Sequence, residues 1–199
     1  MIIPTVITTE PSTEPVTLDE MKTHLRGIDH SDHDDLLNSL IKSARQRIEK
    51  ILGRALVEQT RTAYYKSWPV NDVIDLPNPI QSVDSVKYTD VDDSEYTFSA
   101  DNYKVDAASE PGRIVLGYNK MWPSAILHYA EYPIEIKYVC GYEPDDSSPA
   151  DYTINIPSPI LTAIKLDVDL KYNMPPEKLA EYTENAIESL LMPYKGWRF

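Results

Sequence analysis

The change in hydrophobic period along the chain constrains the fold more than any other feature. Apolar residues recur at helical spacing near both ends, whereas short β-prone runs separated by turn residues fill the middle. Residues 17–54 therefore predict two helices, residues 55–141 a set of strands, and residues 142–199 two further helices. Residues 1–16 contain three prolines and predict an extended arm, either loose or lying across a neighbour. The expected fold class is α+β: a helical bundle from the N- and C-terminal helices with an inserted antiparallel β module.

The two N-terminal helices have clear boundary signals. Thr17 followed by Glu20 is the pattern of a capping box. Ser31 or Asp32 can cap the second helix, and Gly53 stands where a left-handed C-terminal cap belongs. These signals predict a short first helix and a longer second one.

The middle segment predicts strands joined by short turns, and the last segment returns to helical spacing. Asp92–Ser94 has the composition of a hairpin turn. Near the end, residues 160–172 and Glu177–Met192 predict two helices on either side of Pro175 and Pro176. The predicted strands are Leu56–Lys66, Val73–Leu76, Val83–Tyr88, Tyr96–Phe98, Arg113–Leu116 and Ile134–Cys140.

Composition excludes several classes of protein. The formal net charge of −13 argues against a general nucleic-acid binder, because neutralising phosphates needs clustered lysine and arginine. A single cysteine, Cys140, excludes a disulfide framework within the chain and favours a reducing compartment. No apolar run approaches the ~20 residues of a membrane span, and the N-terminus lacks the basic start of a secretory signal. We expect no membrane partner.

The last predicted helix carries four glutamates on one side. At 100° per residue they fall within about 60° of one another, and like charges at this spacing cost a helix a few tenths of a kcal/mol per pair. The row is either the solvated side of an amphipathic helix or a functional acidic surface that faces a basic partner or a passage that must repel DNA phosphate. Its members are Glu177, Glu181, Glu184 and Glu188, and the opposite side is predicted to hold Leu179, Tyr182, Ala186, Ile187 and Leu190.

Basic residues gather on one flank of the second helix. Arg47, Lys50 and Arg54 lie together, with Lys42 and Arg45 further round. The flank is either a solvated helix face or the subunit interface that meets an acidic row on a neighbour.

Motifs for catalysis and metal binding are weak. The chain has no phosphate-binding glycine loop, nucleophile elbow or HExxH zinc motif. The Asp29–Asp35 cluster with His30 and His33 holds metal-ligand residue types, but the same types cap helices. Asp90 begins a residue spacing like that of a calcium-binding loop, but the glycine that such a loop needs is missing. Cys140 ends an apolar run, which is typical of a small buried side chain. We therefore expect no catalytic residues, no resident metal and no cofactor.

The C-terminal tail combines residues that favour protein interfaces. Lys195, Trp197, Arg198 and Phe199 end the chain, and aromatic and arginine side chains are preferred interface anchors. The tail either folds back on its own helices or docks on another protein.

The sequence resembles the tailed-phage head–tail connector proteins, also called head-completion or adaptor proteins. The likeness runs in order through nearly the whole chain, including Pro157 before a predicted buried helix. Its segments are Glu14–Arg26, Asp34–Leu37, Ile41–Arg45, Ile48–Lys50, Gly53–Leu56, Leu76–Val83 and Tyr138–Tyr142.

The resemblance implies a structural virion protein of the phage neck, made in the host cytoplasm. Such proteins form a ring of about twelve subunits below the portal, and a free subunit can stay monomeric until the portal templates the ring. The ring extends the DNA channel without sequence-specific binding and links to the next neck or tail protein. Portal docking would fall to Lys195–Phe199. The alternatives are another neck or tail-completion protein, or a metal-dependent enzyme using the Asp29–Asp35 cluster.

Overall fold

The computed structural model describes residues 4–26, 31–76, 80–109, 111–128, 131–145, 151–152 and 155–195. Within these residues the fold mixes helices with antiparallel sheets, so the predicted α+β class is confirmed. The helices are α1 Leu18–His24, α2 Asp34–Leu52, α3 Ser158–Asn173 and α4 Glu177–Leu191. The strands are β1 Thr5–Thr9, β2 Gln59–Tyr65, β3 Val73–Leu76, β4 Ile80–Thr89, β5 Glu95–Thr97, β6 Tyr103–Asp106, β7 Gly112–Leu116 and β8 Ile134–Cys140.

The chain forms two compact units. The β unit comprises Met1–Glu10 and Glu58–Gly141, and the helical unit comprises Pro11–Val57 and Tyr142–Phe199. No helix among the described residues is long and apolar enough to cross a membrane.

The helical unit is built around one apolar core to which every helix contributes. Leu37, Ile41 and Ile48 of α2 are buried at the helical spacing seen in the sequence, because one stripe of α2 faces inward. Met21 from α1, Ile160, Ile164 and Val168 from α3, and Ile187 and Leu191 from α4 complete most of this core. Segments from the two ends of the chain therefore share one core.

The helix ends follow the predicted chemistry in two of three cases. The Thr17 hydroxyl accepts a hydrogen bond from the Glu20 amide at 3.2 Å, and the Glu20 carboxylate accepts one from the Thr17 amide at 3.1 Å. Gly53 ends α2 with φ = +72°, a conformation that glycine adopts without a Cβ penalty. The prediction that Ser31 or Asp32 caps α2 is wrong, since His33 precedes the first helical residue and makes no side-chain cap hydrogen bond.

The β unit contains two antiparallel sheets. The larger has the strand order β1-β2-β8-β4-β5 and the smaller the order β3-β7-β6. Strand β8 lies at the centre of the larger sheet, where Ile136 pairs with Ala63 of β2 and Val86 of β4. Its side chains alternate between buried and more exposed positions, as period-two patterning requires.

The two sheets approach each other closely at Gly112. A Cβ placed there would lie 2.4 Å from Cγ1 of Ile80, so only glycine fits between β7 and β4 without displacing Ile80. Trp68, Trp122 and Phe98 form an aromatic cluster in the same unit, with Trp68 and Trp122 stacked at 5.2 Å between ring centroids.

Two strands were not predicted from the sequence. Strand β1, within the predicted N-terminal arm, pairs with β2 and so lies on its own chain rather than across a neighbour. Strand β6 pairs with β7 in register from Tyr103 opposite Leu116 to Asp106 opposite Arg113. The hairpin turn at Asp92–Ser94 is confirmed, because it joins β4 to β5.

Candidate interaction surfaces

The four glutamates of α4 divide into two groups. Glu177, Glu181 and Glu188 are exposed. Glu184 is half-buried and accepts a hydrogen bond from Nη2 of Arg47 at 2.6 Å. We use the name acidic flank for Glu177, Glu181 and Glu188, the exposed members of the predicted row.

Arg47 ties three helices together within the chain. Besides Glu184 on α4, its guanidinium donates to Asp167 on α3, whose side chain is completely buried. Asp167 also accepts from Nζ of Lys171 at 2.7 Å. The hydrogen bond to Glu184, reinforced by Asp167 and opposed by partial burial, raises the pKa of Arg47. Arg47, predicted at a subunit interface, therefore has carboxylate partners in its own subunit.

The remaining basic residues of α2 differ in exposure. Lys50 is exposed, in keeping with a surface role, whereas only 7% of the surface of Arg54 is exposed to solvent. Only 1% of the surface of Arg45 is exposed, and its guanidinium donates hydrogen bonds to Glu14 at 2.7 Å and Glu49 at 3.0 Å. The interpretation of this flank as a continuous solvated face is therefore wrong at Arg45 and Arg54.

Sequence analysis missed the Arg45 network. A buried arginine requires hydrogen-bonded carboxylates, and these come from the same helix and from the segment before α1. Glu49 also accepts the Leu56 amide at 2.8 Å, which anchors the chain just after α2. The i, i+4 spacing of Arg45 and Glu49 was the only local signal.

The predicted apolar side of α4 is only partly a core face. Ile187 is buried together with Leu191, but Leu179 is 55% and Tyr182 71% exposed. Leu179 and Tyr182 therefore lie outside the core of the helical unit. At 100° per residue the inward face centres between the two flanks, leaving one exposed flank acidic and the other apolar.

The structure describes the C-terminal tail as far as Lys195. Lys195 is exposed and follows a single 3₁₀ turn at Met192–Tyr194. Trp197, Arg198 and Phe199, the other predicted portal-docking residues, lie outside the described residues.

Two residues of the cluster considered for a metal make structural contacts. Nδ1 of His33 lies 2.6 Å from the Tyr172 hydroxyl, and Asp34 pairs with Lys22 at 2.5 Å. Asp29 and His30 lie outside the described residues. Among the residues that are described, no group of three or more metal-ligating side chains comes together.

Asp90, at the calcium-like spacing, instead closes the β4–β5 turn. Its Oδ1 accepts the amides of Asp92 at 2.9 Å and Ser94 at 3.1 Å. The hydrogen bond from Ser94 is the main cause that lowers the pKa of Asp90. Cys140 is fully buried at the end of β8, which suits a packing role.

The model of one known protein family matches part of the chain. The model of the "Phage gp6-like head-tail connector protein" family matches residues 15–105, from the start of the helical unit into the β unit. This segment is therefore similar to the phage gp6-like head–tail connector proteins. The resemblance inferred from the sequence is confirmed. No curated protein sequence matches the chain.

Solved structures are similar to this chain over nearly its whole length. A chain in the virion of the native gene transfer agent (GTA) particle matches with a TM-score of 0.72 and 18% identity, covering 98% of this chain and 96% of that one. A chain in the neck of the empty GTA particle, computed with C6 symmetry, matches with a TM-score of 0.72 and 20% identity. The match covers 98% of this chain and 97% of that one. A chain in the neck of the native GTA particle, computed with C12 symmetry, matches with a TM-score of 0.70 and 19% identity. The match covers 100% of this chain and 97% of that one. The chain shares their fold, β unit included.

Proposed function

We propose that this protein is a structural head–tail connector in the neck of a phage-like particle. The observation that carries the proposal is the family match at residues 15–105, supported by a shared fold with chains of GTA particle necks along the full length. Its mechanism is assembly rather than catalysis. In this account the helical bundle from both chain ends is the connector core, and the β module is inserted into it.

The connector works as a ring of about twelve copies, consistent with the C12 symmetry used for one neck of the same fold. A head-to-tail contact between subunits closes such a ring. The ring lies below the portal, continues the DNA channel and presents a surface to the next neck or tail protein. The net charge of −13 lets DNA slide through without sequence-specific binding.

The charged surfaces take different parts in this ring. The acidic flank faces the channel or a neighbouring subunit, and Lys50 faces a neighbour. Glu184 and Arg47 hold α4 to α2 within the subunit. Arg54, being buried, acts in the subunit rather than at its surface.

The C-terminal residues Lys195, Trp197, Arg198 and Phe199 dock on the portal. Deleting Trp197–Phe199 should abolish co-purification with the portal while the thermal unfolding midpoint stays within about 2 °C, because docking rather than folding is assigned to these residues. Replacing Lys178, exposed on α4, by alanine is the matched surface control. A large drop in thermal stability after the deletion would show instead that the tail belongs to the core.

Removal of the protein from an assembling particle tests the proposed function. Without the connector, portal-bearing heads should fill but fail to join tails, and electron micrographs should show tailless heads and free tails. Supplying the wild-type protein in trans should restore tailed particles. Normal yields of tailed, infectious particles without the protein would refute a connector role.

A further inference from the structure

The first half of α4 is a helix that the subunit hardly covers. We call residues Glu177–Glu184 the leading segment. None of its side chains is buried, and only Ala180 and the last two residues are half-buried. The buried residues of α4, Ile187 and Leu191, both lie in its second half. A helical stretch this short is marginal in water without a packed face, because tertiary packing supplies most of the stability of helices in proteins.

The turn before α4 gives the leading segment little support. The C-cap of α3, Met174, has φ = +44°, a left-handed conformation that residues with a Cβ rarely adopt. Pro175 and Pro176 follow, and Pro176 takes the N-cap position without a side-chain hydrogen bond. Within the segment, Glu177 and Glu181 are like charges four residues apart, which destabilises a helix. Local interactions therefore do not replace the missing core contacts.

An ion pair at the end of the leading segment holds it to α2. Nη2 of Arg47 donates to Glu184 at 2.6 Å, and 36% and 40% of the two side chains remain exposed. When this pair separates, Glu184 can be hydrated, while Arg47 keeps its hydrogen bond to Asp167. The fully buried Asp167 also keeps Lys171 at 2.7 Å. Separation therefore leaves no buried charge without a partner, whereas displacing Ile187 would expose part of the core.

We propose that the leading segment opens and closes as a separate unit, with the Arg47–Glu184 ion pair as its latch. The latch is the contact that must break before the segment can open. Opening melts the first two turns of α4 between the turn at Met174 and the anchor at Ile187, while α3 and the core stay folded. This opening is a property of the subunit and does not depend on the connector role.

The latch also controls a surface of the subunit. Glu177 and Glu181, two of the three residues of the acidic flank, lie on the leading segment, whereas Glu188 lies beyond it. With the latch closed, the three carboxylates form one row along α4. With the latch open, only Glu188 keeps its position, so the row exists as a single surface only in the closed state.

Amide hydrogen exchange of the folded full-length protein, followed by NMR, tests the opening. The amides of residues 181–187 donate to carbonyls of residues 177–183, so they are released together when the leading segment melts. They should share one protection factor within about threefold, and it should lie about a hundredfold below that of residues 164–168 in α3. Residues 189–191 should be protected like α3. A gradual rise of protection along the whole of α4, or equal protection in α3 and α4, would overturn the proposal.

The substitution Glu184→Gln tests the latch, because it keeps the shape of the side chain and removes its charge. It should lower the protection of residues 181–187 by about two- to fivefold, as expected for a partly exposed ion pair, and leave residues 164–168 unchanged. Raising NaCl from about 50 mM to about 500 mM should have a similar effect on the wild type and a smaller one on the variant. Glu188→Gln is the matched control and should not lower the protection of residues 181–187, since Glu188 lies outside the leading segment.

The results distinguish this proposal from the connector function. A Glu184→Gln variant with unchanged protection would show that the ion pair is not a latch, and one that loses protection equally in α3 and α4 would show a single cooperative unit. Either result would overturn the inference and leave the connector function standing, because that function is judged by particle assembly. A selective loss of protection in residues 181–187 supports the latch.

Discussion

At the scale of single residues, buried charges specify how the helical unit fits together. Asp167 is completely buried, and its carboxylate is satisfied only because Arg47 and Lys171 reach it from α2 and α3. A buried ion pair adds little net stability, but removing one partner leaves an uncompensated charge. Arg47 therefore fixes the position of α4 relative to α2 and α3 through its second bond, to Glu184.

Replacing Arg47 by alanine should lower the free energy of unfolding by about 1–3 kcal/mol. The value lies below that of a fully buried pair because Arg47 is partly exposed and Lys171 remains. Urea unfolding followed by circular dichroism measures it. Glu188→Gln, an exposed position on the same helix as Glu184, should change the free energy by less than about 0.5 kcal/mol. Equal effects of the two substitutions would contradict a structural role for Arg47.

Two tyrosines of the β unit, buried Tyr138 and half-buried Tyr65, should make its stability fall at high pH. Burial raises the pKa of both Tyr138 and Tyr65 above the ordinary tyrosine value. The folded state then holds these protons more tightly than the unfolded state. Their stabilising contribution is complete below about pH 10 and is lost as the pH rises from there toward the folded-state pKa, at up to about 1.4 kcal/mol per pH unit for each group.

Tyr138→Phe should therefore make the loss of stability above pH 10 less steep. The measurement is the free energy of unfolding by urea at several pH values between about 9 and 11.5, compared with the wild type. Tyr118→Phe is the matched control, since Tyr118 is 93% exposed and should leave the slope unchanged. An unchanged slope in Tyr138→Phe would mean that this hydroxyl does not titrate differently in the two states.

At the scale of elements, local patterns predicted the helices and most strands, and long-range pairing supplied the rest. Capping chemistry and periodicity are local, so α1 to α4 could be read from neighbouring residues. Strand β1 becomes a strand only by pairing with β2, more than 50 residues away. Strand β6 has exposed Lys104 and Val105 side by side, which hides a period-two pattern.

The candidate surfaces were predictable only in part, for the same reason. The glutamates of α4 were visible as a row, but the separation of Glu184 from the others depends on Arg47, which is 137 residues distant. Helical periodicity placed Leu179 and Tyr182 opposite the glutamates correctly. It could not show which side of α4 faces the core, because that depends on where α3 lies.

Gly112 should be essential to the packing of the two sheets. Gly112→Ala should lower the free energy of unfolding by about 1–3 kcal/mol, because the new Cβ overlaps the Ile80 side chain. In an Ile80→Ala background, Gly112→Ala should lower the free energy of unfolding less than it does in the wild type, because the obstructing atoms are gone. The difference between the two backgrounds should be about 0.5–3 kcal/mol. Equal costs in the two backgrounds, measured by urea unfolding, would show that the two residues do not compete for space.

At the scale of the whole molecule, the protein combines a buried core with exposed helix surfaces. Among the described residues, the core side chains are buried within the subunit, while α2 and α4 each carry exposed side chains. The family match and the full-length fold likeness agree with that division. The β unit, shared with the GTA chains, is part of the same architecture rather than an addition peculiar to this sequence.

Electron microscopy of the protein mixed with its cognate portal tests the connector role most directly. The connector account predicts portal particles with an added ring of about twelve subunits on the side facing the tail, with an open channel through both. Portal particles unchanged by a saturating excess of folded protein would contradict it.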